Sequence, residues 1–152
     1  HHAKEEAHLF PALEAHGKPR DRGPTGVMLH EHDLGRGFVG AMEKAVVAYE
    51  QGQAHAITDF AKASRAYVSL LREHIQKEDH CLFAMTNQAL DEETQNRLAK
   101  AFCDEEARIP KSQGFDFYSK MALRLAQRYK VSPDQEGGCG DRSGSCSGCG
   151  GH

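Results

Sequence analysis

A ten-residue segment occurs twice in this chain, and no other feature of the sequence constrains the fold as strongly. HHAKEEAHLF at residues 1–10 and HIQKEDHCLF at residues 74–83 align at a constant offset of 73 residues. Five positions are identical and a sixth keeps an acidic residue, which gives the shared pattern H-x-x-K-E-[ED]-x-x-L-F. We therefore expect both segments to adopt the same local structure and to have related roles.

The spacing within the repeat predicts an amphipathic helix that carries a polar cluster. Residues four apart lie one turn apart on the same helical face, so His1 lies beside Glu5 and His74 lies beside Glu78. The Leu-Phe pair that follows each glutamate predicts that part of the same sector is buried. Two such helices facing each other would project two imidazoles and two carboxylates inward. This donor set suits iron, manganese or zinc, and a carboxylate can bridge two ions.

Each half of the repeat also has a simpler interpretation. A single H-x-x-x-E on a helix is usually a solvated pair, and a terminal His-His pair resembles the remnant of a purification tag. Neither interpretation explains the repeat, because a tag would not copy the Lys-Glu-acid and Leu-Phe positions of a segment 73 residues downstream. The two copies together therefore favour a metal site.

A third segment with histidines, MLHEHDLGR at residues 28–36, lies between the two copies. His30 and His32 point about 200° apart on a helix, so at most one of them can face a shared centre. Met28 precedes His32 by one turn and is suited to a core position. His32 is therefore the predicted ligand, and His30 is predicted to lie at the rim.

The remainder of the chain shows helical periodicity interrupted by short breaks, with almost no strand-like alternation. The predicted helices cover residues 1–15, 25–49, 54–90, 91–110 and 115–130. From Gln135 onward the composition is dominated by Gly, Ser and Cys, which is typical of a flexible tail. The sequence thus predicts an all-α bundle at residues 1–132 and a disordered tail at 133–152.

Taken together, the three motifs resemble the hemerythrin-like HHE cation-binding domain family. H-H-x-K-E-E-x-x-L-F-P, M-x-x-E-H-x-x-x-R and H-I-x-K-E-D-x-x-L-F occur in the family's order and span roughly residues 1–130. The resemblance implies an up-and-down four-helix bundle with a non-haem di-iron centre, in which histidines are terminal ligands and two glutamates bridge. Carried over residue by residue, the implied metal ligands are His1, Glu5, His32, His74 and Glu78, with His2 as a weaker additional candidate.

The sequence departs from the family pattern at its start. The first helix of the family supplies a further histidine before the first H-x-x-x-E, and nothing precedes His1 here. The expected fold is therefore a hemerythrin-like bundle whose first helix is missing and which carries an extra C-terminal helix. One iron of the pair would then lack a ligand.

The other histidines and the cysteines give weaker signals. His8, His16, His55 and His80 are expected at the surface. Cys81 and Cys103 are expected to be small buried residues rather than ligands. The tail holds four more potential ligands, Cys139, Cys146, Cys149 and His152, for which a zinc or redox site and a flexible tail remain alternatives. The five cysteines form no regular framework, which argues against a secreted disulfide scaffold and predicts a cytoplasmic location.

Charge and composition exclude several classes of function. The net charge of −3 supplies no basic field for nucleic acid, and no apolar run reaches the roughly 18 to 20 residues of a membrane span. Neither a phosphate-binding loop nor a nucleophile motif occurs.

The predicted function is that of a cytoplasmic protein that uses two irons to sense, bind or store O2, nitric oxide or iron. The alternatives are an oxidoreductase that turns over peroxide or nitric oxide, an iron donor for repair of iron-sulfur centres, and a purely structural bundle. The pattern favours a metal-binding protein over a dedicated enzyme.

Overall fold

The computed structural model describes residues 1–110, 112 and 114–131, and every regular element in this part of the chain is helical. The all-α prediction is thereby confirmed. The predicted tail at residues 133–152, with Cys139, Cys146 and Cys149, lies outside the described residues. None of the helices described is long and apolar enough to cross a bilayer.

Five helices follow one another along the described chain. The first, α1, is α-helical at His2–Lys4, π-helical at Glu5–Leu9 and α-helical again at Phe10–Ala15. The second, α2, spans Gly23–Glu50. The third, α3, is α-helical at Ala56–Lys77, π-helical at Glu78–Leu82 and α-helical at Phe83–Ala89. The last two are α4 at Glu92–Arg108 and α5 at Phe115–Tyr129.

The chain divides into two compact units, His1–Ala107 and a second that begins at Arg108. The second unit contains α5, which is followed by Lys130 in the left-handed conformation, with φ of 53°. Four large apolar side chains of α5 are exposed: Phe117, Met121, Leu125 and Tyr129. The candidate site lies in the first unit.

Local chemistry explains where α2 begins and ends. Arg22 is extended and Pro24 lies in the first turn, where a missing backbone N–H costs nothing. The helix ends at Glu50. Two residues later Gly52 adopts φ of 86°, a conformation that glycine tolerates and other residues rarely adopt. This turn reverses the chain and leads into α3.

Helices α2 and α3 lie antiparallel along one another. The contacts that establish this direction are Glu31 with Lys77, Gly35 with Tyr67, and Met42 with Ser64. Gly35 is buried at the crossing, and a Cβ there would lie 3.6 Å from the Tyr67 ring. That distance is an ordinary van der Waals contact, so a small side chain would also fit at this crossing.

The apolar core of the first unit lies beside the repeated segments. Its fully buried members are Phe10, Leu13, Met28 and Leu82, and Leu98 and Phe102 of α4 pack against this cluster. The first copy of the repeat buries both residues of its Leu-Phe pair. The second copy buries Leu82 fully and Phe83 only in part. The prediction that each pair marks the buried sector is therefore confirmed.

Both copies of the repeat contain a π-helical turn at the same register. The first begins at Glu5 and the second at Glu78, and each is closed by a hydrogen bond from the phenylalanine N–H five residues later. A π turn accommodates one more residue than an α turn and changes the direction in which the following side chains point. The equivalent sequences have thus folded into equivalent local structures, although side-chain periodicity did not predict this turn.

Candidate metal centre

Four ionisable side chains are buried together beside the core. One ligand atom from each of Glu5, His32, His74 and Glu78 lies within 4.8 Å of all the others. His2 forms an overlapping group with His32 and His74. Burial of charged or polar groups is unfavourable unless they are paired or bind a metal ion. The cluster therefore requires a compensating interaction.

Three helices supply these side chains. Helix α1 provides His2 and Glu5, α2 provides His32, and α3 provides His74 and Glu78. In α2, His32 is fully buried one turn after the buried Met28. His30 is exposed.

The two N-terminal histidines lie at the open side of the cluster. The His1 side chain is 58% exposed, and its Nε2 lies 3.4 Å from Oε1 of Glu5 and 3.4 Å from Oε1 of Glu78. The His2 ring stacks on that of His32 with 3.9 Å between centroids. All six side chains singled out from the sequence are thus neighbours, four of them in the buried interior and two at the rim.

The two buried histidines are oriented in the same way. His32 Nδ1 donates to Oε1 of Glu6 at 2.7 Å, and its Nε2 lies 3.2 Å from Oε2 of Glu5. His74 Nδ1 donates to Oε2 of Glu31 at 3.0 Å, and its Nε2 lies 3.0 Å from Oε1 of Glu78. Each imidazole therefore lies between an outer and an inner carboxylate.

The outer carboxylates are themselves held by cations. Arg36 donates to Glu6 at 2.8 Å and also to Asp33 at 2.6 Å. Lys77 donates to Glu31. Sequence reasoning missed these roles, although Glu6 is the acid kept in both copies and Glu31 and Arg36 lie within the M-x-x-E-H-x-x-x-R motif.

Several buried polar atoms at this site lack a hydrogen-bond partner. Of the seven such atoms among the described residues, five belong to the cluster: both Oε atoms of Glu5, Oε1 of Glu78, and Nε2 of His32 and His74. An unsatisfied buried polar group costs about 1–3 kcal/mol. The five atoms are all metal-ligand types, and imidazole nitrogen with carboxylate oxygen suits iron, manganese or zinc. The residues present therefore fit a bound metal ion.

The Nε2 atoms of the two buried histidines and the glutamate oxygens that they face also need a cation between them, for electrostatic reasons. When Nδ1 of a neutral histidine carries the proton, Nε2 is an acceptor with a lone pair. Nε2 of His32 then faces a Glu5 oxygen, and Nε2 of His74 faces a Glu78 oxygen, so that two acceptors meet at 3.2 and 3.0 Å. A proton or a metal ion between them removes the repulsion.

The protonation equilibria of the cluster follow from this arrangement. Burial raises the pKa of the Glu5 carboxyl, but the nearby imidazoles of His1 and His32 outweigh burial, and the pKa lies below its ordinary value. The pKa of Glu78 is lowered in the same way by His1 and His74. Glu5 and then Glu78 raise the pKa of His1 from 6.5 to about 10. In the absence of metal, ionised Glu5 and Glu78 therefore lie beside a protonated His1.

His2 behaves in the opposite way. Burial lowers its pKa, and the neighbouring imidazoles of His32 and His74 lower the pKa further. His2 is therefore neutral near pH 7. A neutral imidazole is the form that binds a metal ion.

A cleft of about 580 Å³ opens onto the cluster. Its walls include His74 and Glu78 of the cluster and the two rim histidines, His1 and His2. The remaining wall consists of Ala3, Tyr67, Leu71 and Ile75. A small molecule can therefore reach the ligand atoms from one side. Most of the surface that it meets beyond them is apolar.

The other predictions for histidines and cysteines had mixed outcomes. His16, His55 and His80 are exposed, as expected. His8 is half-buried instead, with its ring 6.2 Å from that of Phe102. Cys81 is exposed, so the prediction that it is buried is wrong.

Comparison with known proteins agrees with the resemblance seen in the motifs. The family model described as "Hemerythrin HHE cation binding domain" matches residues 1–86, which is more than half of the chain. Neither the curated proteins nor the solved structures gave a significant match. The matched region contains both copies of the repeat and the segment with His32, and its helices form the expected all-α fold. The chain belongs to the hemerythrin HHE cation-binding domain family.

Proposed function

We propose that this protein binds two non-haem iron ions and uses them to sense, bind or store O2, nitric oxide or iron. The proposed ligands are Glu5, His32, His74 and Glu78 in the interior, with His1 and His2 completing the set at the rim. The observation that carries the proposal is the convergence of five partnerless buried atoms, all of metal-ligand type, on one cluster.

The arrangement of the donor atoms supports two ions rather than one. Glu5 and Glu78 supply two negative charges to a buried region, and a carboxylate has two oxygens with which it can bridge two metal ions. Each glutamate already lies close to a different buried histidine, Glu5 to His32 and Glu78 to His74. The inner glutamates are therefore suited to join two metal ions, each held by one buried histidine.

The surroundings of the cluster favour a small uncharged ligand. Iron held by these residues would supply the chemistry that binds O2 or nitric oxide. Tyr67, Leu71 and Ile75 line the cleft beyond the proposed ligands and offer no cationic or anionic group to an ionic substrate. The outer carboxylates Glu6 and Glu31 are engaged by Arg36 and Lys77, so neither is free to act as an acid or base in the cleft. These features favour binding over turnover.

Release of iron to a damaged iron-sulfur protein is the second candidate. The half-exposed His1 supports it, because a ligand that solvent reaches dissociates more readily than a buried one. The exposed thiol of Cys81 is compatible with a reducing compartment. Transfer of iron to an apo acceptor, measured against free Fe(II), separates this role from stable binding.

Iron stoichiometry tests the proposed function. Untagged protein is reconstituted anaerobically with Fe(II), desalted and analysed for iron, and we expect about two irons per chain. The near-ultraviolet absorption should show charge-transfer bands of a bridged iron pair after exposure to O2. The exposed His80 provides a matched control, since His80→Ala removes an imidazole from α3 outside the cluster and should keep full stoichiometry. Absence of iron in the wild-type protein contradicts the proposal.

A further inference from the structure

Two series of hydrogen-bonded side chains extend outward from the buried histidines, and both have the same order of residue types. In the first, Arg36 holds Glu6 and Glu6 accepts from His32. In the second, Lys77 holds Glu31 and Glu31 accepts from His74. We call these the outer arms. Each arm joins two neighbouring helices, α1 with α2 in the first and α2 with α3 in the second.

We propose that Glu6 and Glu31 are positioning residues that fix the tautomer and the orientation of the two buried histidines for metal binding. The inference rests on the proposed metal centre, but it assigns a role to residues outside the ligand set.

An ionised carboxylate can only accept hydrogen bonds. The nitrogen that faces it must therefore carry the proton, which leaves the other ring nitrogen with a free lone pair. In both arms the carboxylate faces Nδ1, at 2.7 Å in His32 and 3.0 Å in His74. Both Nε2 atoms are then available as ligands, and both are buried without a hydrogen-bond partner.

The cations at the ends of the arms keep the carboxylates in place. Arg36 contacts Glu6 through one nitrogen and Asp33 through another, so its guanidinium is fixed at two points. Lys77 lies between Glu31 and Glu73, the latter at 4.0 Å. The carboxylates are thus restrained from turning inward to compete with Glu5 or Glu78 for the metal ion.

The carboxylates of the two arms differ in solvent exposure. We therefore expect them to differ in how much each supports metal binding. The Glu31 side chain is only 9% exposed, whereas that of Glu6 is 26% exposed. Water can replace part of the Glu6 interaction but little of the Glu31 interaction. Loss of the Glu31 carboxylate should therefore have the larger effect on metal affinity.

The test combines metal affinity with a direct measurement of the histidine tautomers. The variants are Glu6→Gln and Glu31→Gln, which keep side-chain shape but lose the charge. The control is Glu73→Gln, which removes a 67% exposed carboxylate near Lys77 that is not bonded to a histidine. Zn(II) serves as the probe, its affinity measured by competition with a chelator and the tautomers of ¹⁵N-labelled histidines by long-range ¹H–¹⁵N NMR.

We expect both variants to weaken Zn(II) binding by about 10- to 100-fold, with Glu31→Gln the weaker binder. The Nδ1 resonance of the partner histidine alone should shift in each variant, and Glu73→Gln should leave affinity and spectra unchanged. Wild-type affinity in both glutamine variants overturns the inference and leaves the metal centre intact. A lower affinity with unchanged Nδ1 resonances also overturns it, because the carboxylates would then act only through charge. Failure of the wild-type protein to bind Zn(II) contradicts the proposed centre itself.

Discussion

The two copies of the repeat have the same local structure but very different surroundings. Both are helical, and both switch to a π turn at the glutamate. In the second copy, His74 and Glu78 are buried in the middle of α3. In the first copy Glu5 is just as deeply buried, but His1 lies at the edge of the cluster, with more than half of its side chain exposed.

The difference shows which properties a repeated sequence determines. Ten equivalent residues determine helix formation, the position of the π turn and the sector that faces the core. They do not determine how deeply the first histidine is buried, because that depends on which other helices cover it. The two inner glutamates should therefore be equivalent in function, whereas the two H-x-x-x-E histidines should not.

The largest expected effect tests the equivalence of the glutamates. We predict that Glu5→Gln and Glu78→Gln each remove most of the iron from both positions, because a bridging ligand serves both ions. Iron analysis of the reconstituted variants measures the effect. Loss of only one iron in either variant would show that this glutamate serves a single ion.

The aromatic position of the repeat tests how burial differs between the copies. Phe10→Ala should lower the free energy of unfolding by about 3–5 kcal/mol, because the fully buried ring leaves a cavity in the core. Phe83→Ala should cost about 1–2 kcal/mol, because its half-buried ring leaves an open groove. Urea unfolding of the metal-free proteins measures both values. Equal costs would mean that the copies pack equally well.

His1 and His74, the equivalent histidines of the two copies, should differ in their contribution to iron affinity. We expect His74→Ala to weaken Fe(II) binding by more than the roughly 10- to 100-fold that loss of a supporting carboxylate causes. His1→Ala should have a smaller effect, since solvent already reaches this side chain. Competition titrations under anaerobic conditions compare them. A larger loss from His1→Ala would reverse the order proposed here.

The smallest expected effect is the pH dependence that His1 contributes to stability. The pKa of His1 is raised from 6.5 to about 10 by Glu5 and Glu78, so protonated His1 favours the folded state. This contribution is complete below pH 6.5 and is lost as the pH rises towards 10. The stability difference between the metal-free wild type and His1→Gln should therefore shrink over this range. Solvent screening keeps the effect small, and a difference that grows with pH would contradict the assignment.

Side-chain periodicity alone predicted most of the fold and the composition of the cluster. The spacing of histidine, glutamate and the Leu-Phe pair indicated which residues share a face, and Met28 indicated that His32 rather than His30 points inward. These inferences need only the geometry of one helix. The helical segments and the buried Leu-Phe sector follow from the same geometry.

The features that sequence reasoning missed depend on backbone hydrogen bonding or on the rotation of one helix against another. A π turn changes which carbonyl accepts each N–H, and residue periodicity does not reveal that choice. Cys81 lies within such a turn and is exposed. The outer arms require α1, α2 and α3 to be placed side by side before Glu6 meets His32 or Glu31 meets His74.

Anomalous diffraction at the iron edge, from crystals of reconstituted untagged protein, tests the central claim most directly. Two peaks within coordination distance of Glu5 and Glu78, one next to His32 and the other next to His74, are the predicted result. Peaks at other sites, or no peak between the two glutamates in fully reconstituted protein, would contradict the proposed centre.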